Sequence, residues 1–320
     1  MTDIKITNKK KYREFCKKEK YIPLFSQAWW LDAVCDEGYW DVALVEKDNK
    51  IIASMPYYIK KKNIFTAITL PKLTQTMGPY IKYPKGQKYT ASLSWDKKIM
   101  NELIEQLPKV DMFTQSFNYS IKNTLPFYWN GYNISIGYTY TLDNLMDMEK
   151  LFSNFSRSTR KEIKNAKKNG IEVVDSDDIE TFYEINKITY KKQGVKIPYS
   201  LDFLKNLYRQ GKEQDAVVMK FALKDDIVYS VGLYFYDNQS LYAIMGSSNR
   251  DIKLYGSEYL LDWEMIEFAS KKNLIFDFEG SMIERIESRM RSFGTIQKRY
   301  SIVTKNNSKL LGTIKYILDN

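Results

Sequence analysis

Two periods alternate along this chain. Apolar residues recur at every third or fourth position in some stretches, and at every second position in others. The first marks a helix with one buried stripe, the second a strand with one buried face. Residues 26–37, SQAWWLDAVCDE, follow the helical period, with Ser26 placed to cap and Trp29, Trp30 and Ala33 to bury. Residues 42–46 and 51–59 follow the strand period around Lys47-Asp48-Asn49-Lys50, a hairpin signal. Further strands are predicted over 64–70, 110–115 and 132–142, with a turn at Met77-Gly78-Pro79-Tyr80 and a helix from Ser94 that Pro108 stops.

A longer helical run covers 147–169. Phe152, Phe155, Thr159, Ile163 and Ala166 form its less polar face, and Asn169-Gly170 its stop. A strand over 171–174 and helices over 178–192 and 201–210 come next, then strands over 217–223, 227–236 and 241–245. Helix 257–271, strand 274–278, helix 284–293 and strand 295–303 complete the chain.

The order of elements repeats. A gapless shift that lays Val42 on Val218 also lays Ile51, Ser54 and Tyr58 on Ile227, Ser230 and Tyr234. The later helices carry Glu102-Leu103-Ile104-Glu105 and Glu264-Met265-Ile266-Glu267, and each leads into an apolar strand. Duplication predicts two domains, 1–145 and 146–320, joined by a short segment near 143–147. The expected class is α+β (mixed α/β), each domain a mixed β-sheet flanked by helices.

Composition narrows the chemistry. The chain has 320 residues, enough for two domains. Lys and Arg outnumber Asp and Glu by 49 to 39, which fits a lysine-rich surface or attraction to a phosphorylated ligand, RNA or an anionic membrane. There is no histidine, which excludes histidine-based nucleophile systems and histidine zinc sites. Proton transfer then falls to a carboxylate, Tyr, Cys, Lys, water or a substrate group. Two cysteines without metal-ligand spacing point to a reducing, cytoplasmic setting, and no metal is expected. No apolar run is long enough to span a membrane, so any membrane association is expected to be peripheral.

The sharpest cluster is Phe276-Asp277-Phe278-Glu279-Gly280. Alternation puts the two phenylalanines on one face and the two acids on the other. Buried acids at a strand end are either paired, with Arg285, Arg289 or Arg291 at hand, or used. Used, Glu279 is a candidate general base, Asp277 its neighbour, and Tyr300 on the last strand a candidate acid or orienting group. The segment from Gly246 to Ser257 reads either as an ordinary strand–helix joint or as a donor loop. In the second case Gly246, Ser247, Gly256 and Ser257 let an anion approach the helix start and Arg250 adds charge. The basic helix 157–168 is either a solvated face or a phosphate-binding one, with Arg157 and Arg160 as contacts.

Together, FSRSTRKEIKNAKKNGIEV, KIPYS, YGSEYLLDWEMIEFA, FDFEGSMIERIESRMRSFG and QKRY resemble the FemAB-related, BioF2-like branch of the GNAT superfamily. The first half, from SQAWWLDAV through MPYYIKKK to LPKLTQTMGPYIKYP, is similar to the N-terminal half of bacterial members. The resemblance implies two tandem GNAT-like domains with the active cleft in the second, where a central strand splays from its neighbour to hold the donor. It implies an acyltransferase that moves an acyl or aminoacyl group from acyl-CoA or another activated donor to an amine or hydroxyl. The acceptor would be a small molecule or cell-envelope precursor, and Lys196, Tyr199 and Tyr234 are further candidate substrate contacts. Two alternatives stand beside it. One is a Fem-like peptidyltransferase using aminoacyl-tRNA in peptidoglycan bridge formation, and the other a non-catalytic GNAT-derived binding protein. tRNA is a candidate partner and DNA is not.

Overall fold

Residues 2–192 and 194–308 are described by a computed structural model. They fall into two compact units, Met1–Gly137 with Arg299–Asn320, and Tyr138–Lys298. In chain order the first contains α1 (Thr2–Lys18), α2 (Ala28–Val34), β1 (Tyr39–Lys47), β2 (Lys50–Lys62), β3 (Phe65–Thr69) and β4 (Tyr80–Ile81). It continues with α3 (Tyr89–Glu105), β5 (Met112–Ser116), α4 (Leu125–Trp129) and the start of β6 (Asn133–Leu142). The second contains α5 (Met148–Asn154), α6 (Arg157–Lys168), β7 (Glu172–Asp175), α7 (Ile179–Lys192), α8 (Leu201–Glu213) and β8 (Val217–Lys224). β9 (Ile227–Tyr236), β10 (Ser240–Ser248), α9 (Ser257–Lys271), β11 (Ile275–Asp277), α10 (Glu284–Arg291) and β12 (Ile296–Asn306) follow.

In the first unit β1 and β2 form an antiparallel hairpin, β3 pairs β2 antiparallel, and β5 runs parallel to β3. The end of β12 adds to β5, Ile302–Asn306 against Ser116–Met112. α3 lays Ile99, Met100 and Leu103 on this sheet, over Met55, Ile68, Phe113 and Val303. In the second unit β7, β8, β9 and β10 are antiparallel in series, β11 is parallel to β10, and β6 is antiparallel to β11. α9 supplies more of the core than any other element, with Leu260, Leu261, Trp263, Met265 and Ile266 in one cluster with Tyr234, Leu241 and Phe276. Burial of each such side chain is worth about 1.5–3 kcal/mol. Both units are thus mixed sheets flanked by helices, as the periodicity predicts.

Four expectations are corrected. The predicted helix 147–169 is two helices. Phe155 is extended, and Ser156 restarts the helix by accepting a hydrogen bond from the Thr159 amide at 3.1 Å. The apolar period runs through this break because Phe155 is buried whichever way the chain turns there. Ser26 is not a cap: it closes a 3-10 turn, its carbonyl accepts a hydrogen bond from the Tyr12 hydroxyl at 2.6 Å, and α2 starts two residues later.

The third concerns the repeat. Both hairpins have two-residue turns with positive φ at both positions, Asp48-Asn49 and Asp225-Asp226, and both carry a bulge near the turn, at Val45/Glu46 and Ala222/Leu223. These features superimpose with Val42 on Met219, not on Val218. A one-residue slip in a strand exchanges its faces, so the four identities do not mark equivalent positions. The duplication is in the architecture. The fourth concerns the boundary, which falls between Gly137 and Tyr138, not at 145/146, and the chain returns to the first unit at Arg299. Fully buried Val303 belongs to the first unit's core, which explains the return.

Candidate functional site

The site begins where two strands part. β10 and β11 pair only over Ser240–Tyr242 and Ile275–Asp277, yet β10 continues to Ser248 along β9. A register shift against β9 lies between Tyr242 and Met245. A bulge of this kind bends the strand and re-aims its side chains. Beyond Tyr242, the edge of β10 that faced β11 has no strand beside it among the described residues. A cavity of about 590 Å³ opens there, walled by β10 from Ala243 to Ser248, the first turns of α9, residues 278–280, and α10.

The walls carry three acids and three arginines. Glu258 accepts a hydrogen bond from the Ser248 hydroxyl at 2.9 Å and sits 3.3 Å from Arg250. Ser248 is also hydrogen-bonded to Ser230, and Ser230 to Ser257, at 3.1 and 2.6 Å. Buried Asp262 receives the Arg289 guanidinium at 2.5 Å and the Tyr234 hydroxyl at 3.3 Å. Burial pushes Asp262 above the usual carboxylate range, against the pull of Arg289. Arg289 lies against the stacked rings of Tyr259 and Phe293, 5.1 and 5.9 Å from their centres. Glu279 and Arg285 are left, and neither makes an ion pair among the described residues.

Glu279 has the properties of a reactive group. Its backbone is left-handed at φ 65°, followed by Gly280 at φ 63°. A Cβ on Gly280 would meet the Tyr138 carbonyl oxygen at 2.1 Å, so only glycine fits this close approach. A non-glycine residue in that conformation is uncommon and points to a constrained position. Its amide donates to Asp277 at 2.9 Å, and no hydrogen bond to its carboxylate is present among the described residues. Burial, and then the charge of Asp277, hold its pKa well above the ordinary 4.5. Asp277 is shut away from solvent, accepts the Thr139 hydroxyl at 2.5 Å, and is pushed up by burial to about 6. Pairing with an arginine does not occur: Arg289 takes Asp262 and Arg291 takes Glu287.

The other sequence candidates divide. Gly246, Ser247, Arg250 and Tyr234 line the cavity. Ser247 donates to Asn186 of α7 at 3.0 Å, while space is open where a Gly246 side chain would project. Gly256 and Ser257 lie behind the wall: a Cβ on Gly256 would meet the Glu162 carbonyl oxygen at 2.3 Å, and the Ser257 hydroxyl is taken by Ser230. Tyr199 is buried and donates to the sulfur of Met245 at 3.0 Å, so it acts on the wall from behind. Arg160 is spent on the carbonyls of Ser153 and Phe155, and Arg157 and Lys196 are exposed outside the cavity. Tyr300 is not among the lining residues; its ring packs where a Gly137 side chain would be.

Glu258 and Asp262 were not anticipated, and Arg285 and Arg289 only as partners for Asp277 or Glu279, not as walls of the cavity. Their signal was present as charges four apart on two helices, Asp262 standing inside the apolar run YLLDWEMI. For a donor, the free edge of β10 from Ala243 to Gly246 fits an extended, amide-bearing arm, and Arg250 and Arg285 supply positive charge. The start of α9 suits a diphosphate less well, because Glu258 already occupies it. Among the described residues no cluster of three or more metal-ligating side chains exists, and no helix is long and apolar enough to cross a membrane.

Residues 153–281 match the family described as an acetyltransferase (GNAT) domain. The fold of the chain is similar to that of FemX, at 14% identity over 92% of this chain and 95% of that one, with a TM-score of 0.68. It is also similar to L-PGS from Bacillus licheniformis, at 10% identity over 96% and 95% of the two chains, TM-score 0.55. A tandem GNAT protein from the clavulanic acid biosynthesis pathway aligns at 7% identity over 96% of each chain, TM-score 0.52. No curated protein matches the sequence. Residues 153–281 thus match a GNAT acetyltransferase domain, in a chain whose fold is similar to that of FemX and of a tandem GNAT protein.

Proposed function

We propose that the chain transfers an acyl or aminoacyl group from an activated donor to an amine, in the cavity between β10 and β11, with Glu279 as general base. The observation that carries this reading is an unpaired carboxyl with a raised pKa, at the mouth of a strand splay whose neighbouring edge is free to take the donor. The donor supplies an activated acyl carbonyl. The amine nitrogen attacks the acyl carbon, and its new C–N bond replaces the bond from that carbon to the donor's thiol sulfur or hydroxyl oxygen. Glu279 accepts the proton that the amine loses and returns it to the leaving group. Its raised pKa makes it a stronger base than an exposed carboxylate, and Asp277 beside it disfavours a second negative charge. Arg285, uncompensated in the same wall, is placed to receive an anionic group of donor or acceptor.

An acyl-CoA is the first donor to test and an aminoacyl-tRNA the second, the latter implied by the resemblance of the sequence to Fem-type members. The acceptor is a small molecule or cell-envelope precursor, met in the cytoplasm, where the two free cysteines stay reduced. Thermal shift with acetyl-CoA, a long-chain acyl-CoA and a charged tRNA ranks the donors, since saturation at a hundred times Kd adds about 2.7 kcal/mol. With the donor found, Glu279→Gln should lower turnover about 10²–10⁴-fold without lowering the melting temperature. Near-wild-type turnover in that variant would remove Glu279 from the mechanism. No response to any donor would favour a binding protein instead.

A further inference from the structure

The first unit carries a surface that the acyltransferase chemistry does not use. α3 begins with Tyr89 and Leu93 on one face, and Lys97, one turn further, lies 5.3 Å over the ring of Trp129 on α4. α4 packs against α3, and Asn130 donates to Asn101 at 2.9 Å across the joint. Leu93, Tyr89, Leu125, Tyr128 and Trp129 are 37–77% exposed, so these two helices gather five large apolar side chains in solvent. Single exposed apolar residues need no explanation, but five on two packed helices do.

The charges around them are mostly of one sign, with Glu102 and Glu105 coming only in the last turn of α3. Residues 82–101 and 118–136 contain one acid, Asp96, and it is buried, accepting from Tyr83 at 2.6 Å and Asn123 at 3.2 Å. Lys85, Lys88, Lys97, Lys98 and Lys122 are exposed in the same stretches and make no ion pair among the described residues. The partner must therefore offer negative charge to the lysines and an apolar medium to the leucines and aromatic rings. An RNA would meet the lysines, but it gives Leu93 and Leu125 nothing to bury in, and these stretches contain no arginine to fork onto phosphates. A bilayer interface satisfies both: aromatic rings settle at the headgroup level, leucines enter the acyl boundary, and lysine stems lie along the surface with their charges outward.

We infer that the α3–α4 face docks this protein onto an anionic membrane surface as a peripheral, reversible contact. Each lysine near such a surface contributes about fivefold in affinity, and the contact weakens as salt rises. The test is co-sedimentation of the full chain with vesicles of phosphatidylcholine alone and with vesicles containing about a third phosphatidylglycerol. Binding to the anionic vesicles should exceed binding to neutral ones at least tenfold. Trp129→Glu, with an unchanged melting temperature, should lose at least tenfold of that binding. If Trp129→Glu unfolds, the pair Lys97→Gln and Lys98→Gln carries the test, with an expected loss of about twentyfold. Equal sedimentation with both vesicle types, or full binding by the variants, overturns the inference. So does capture of an RNA oligonucleotide that Trp129→Glu abolishes while vesicles are ignored.

Discussion

Asp277 and Glu279 stand two residues apart and titrate for different reasons. Asp277 is sealed in and doubly hydrogen-bonded, while Glu279 faces a cavity and is bonded only through its amide. For Asp277 the pKa rises on folding from 3.8 to about 6. A carboxyl whose folded pKa is raised stabilises the fold fully below its unfolded pKa, and loses that contribution as pH climbs through the folded one. Above pH ~6 the native state carries a buried charge that costs about 3 kcal/mol. Asn at this position keeps an oxygen for Thr139 and for the Glu279 amide. Asp277→Asn should therefore raise the melting temperature at pH ~8, by the equivalent of about 1–3 kcal/mol, and leave it unchanged at pH ~4. A variant less stable than wild type at both pH values would refute the burial argument. With Glu279 as the proposed base, its raised pKa should place the acid limb of kcat/KM above the ordinary carboxylate range, and a limb near pH ~4.5 would show an unperturbed base. Alternation alone predicted the faces of this segment, and Phe276 and Phe278 do pack in the core. The choice of arginine partners was not legible, because it depends on which face of α10 meets α9. That face gives Arg289 to Asp262 and leaves Glu279 unpaired.

At the scale of elements, the site depends on β10 outrunning β11. Strand positions were readable from period two, and the glycine-opened helix after β10 from its start signal. The splay came only from the family resemblance and not from the period, since it accompanies a one-residue register shift at Ala243–Ile244 that no local pattern announces. The same gap explains why the two glycines look alike in sequence and differ in the fold. Gly246 projects into open space at the cavity wall, whereas Gly256, at φ 84°, is pressed against the Glu162 carbonyl. Gly246→Val should weaken donor binding at least tenfold with little change in melting temperature, since the new side chain fills space that the donor needs. Gly256→Val should instead cost several kcal/mol in stability, from steric conflict with backbone and a β-branched residue at positive φ. Titration of the donor with each variant, alongside its thermal melt, separates the two. If Gly256→Val folds normally and loses only the donor, the donor approaches the start of α9 after all.

At the scale of the whole chain, the end of β12 belongs with the first unit. Residues 295–303 read as the closing strand of the second half, because periodicity carries no information about which sheet a strand joins. In the fold, Ile302–Asn306 pair with β5, and Val303, fully buried, packs with Phe113, Ile68 and Leu103 of the first unit. Lys305 reinforces the attachment by donating to the Asn130 carbonyl at 2.8 Å and lying over the ring of Tyr132. The two assignments predict different consequences for one mutation. Val303→Ala removes two buried methyl groups, with an expected cost of about 1–3 kcal/mol. Hydrogen exchange should then rise in β3 and β5, whose amides share the core that Val303 fills, while β8, β9 and β10 keep wild-type protection. Were β12 the closing strand of the second half, the loss would appear in β9 and β10 and leave β5 untouched. The same logic bears on truncation. A fragment ending at Lys298 keeps every residue that walls the cavity but strips the first unit of a core strand. It should retain exchange protection in β8–β10 and lose it in β5. A fragment with β5 fully protected would show that the first unit does not need the chain's last strand.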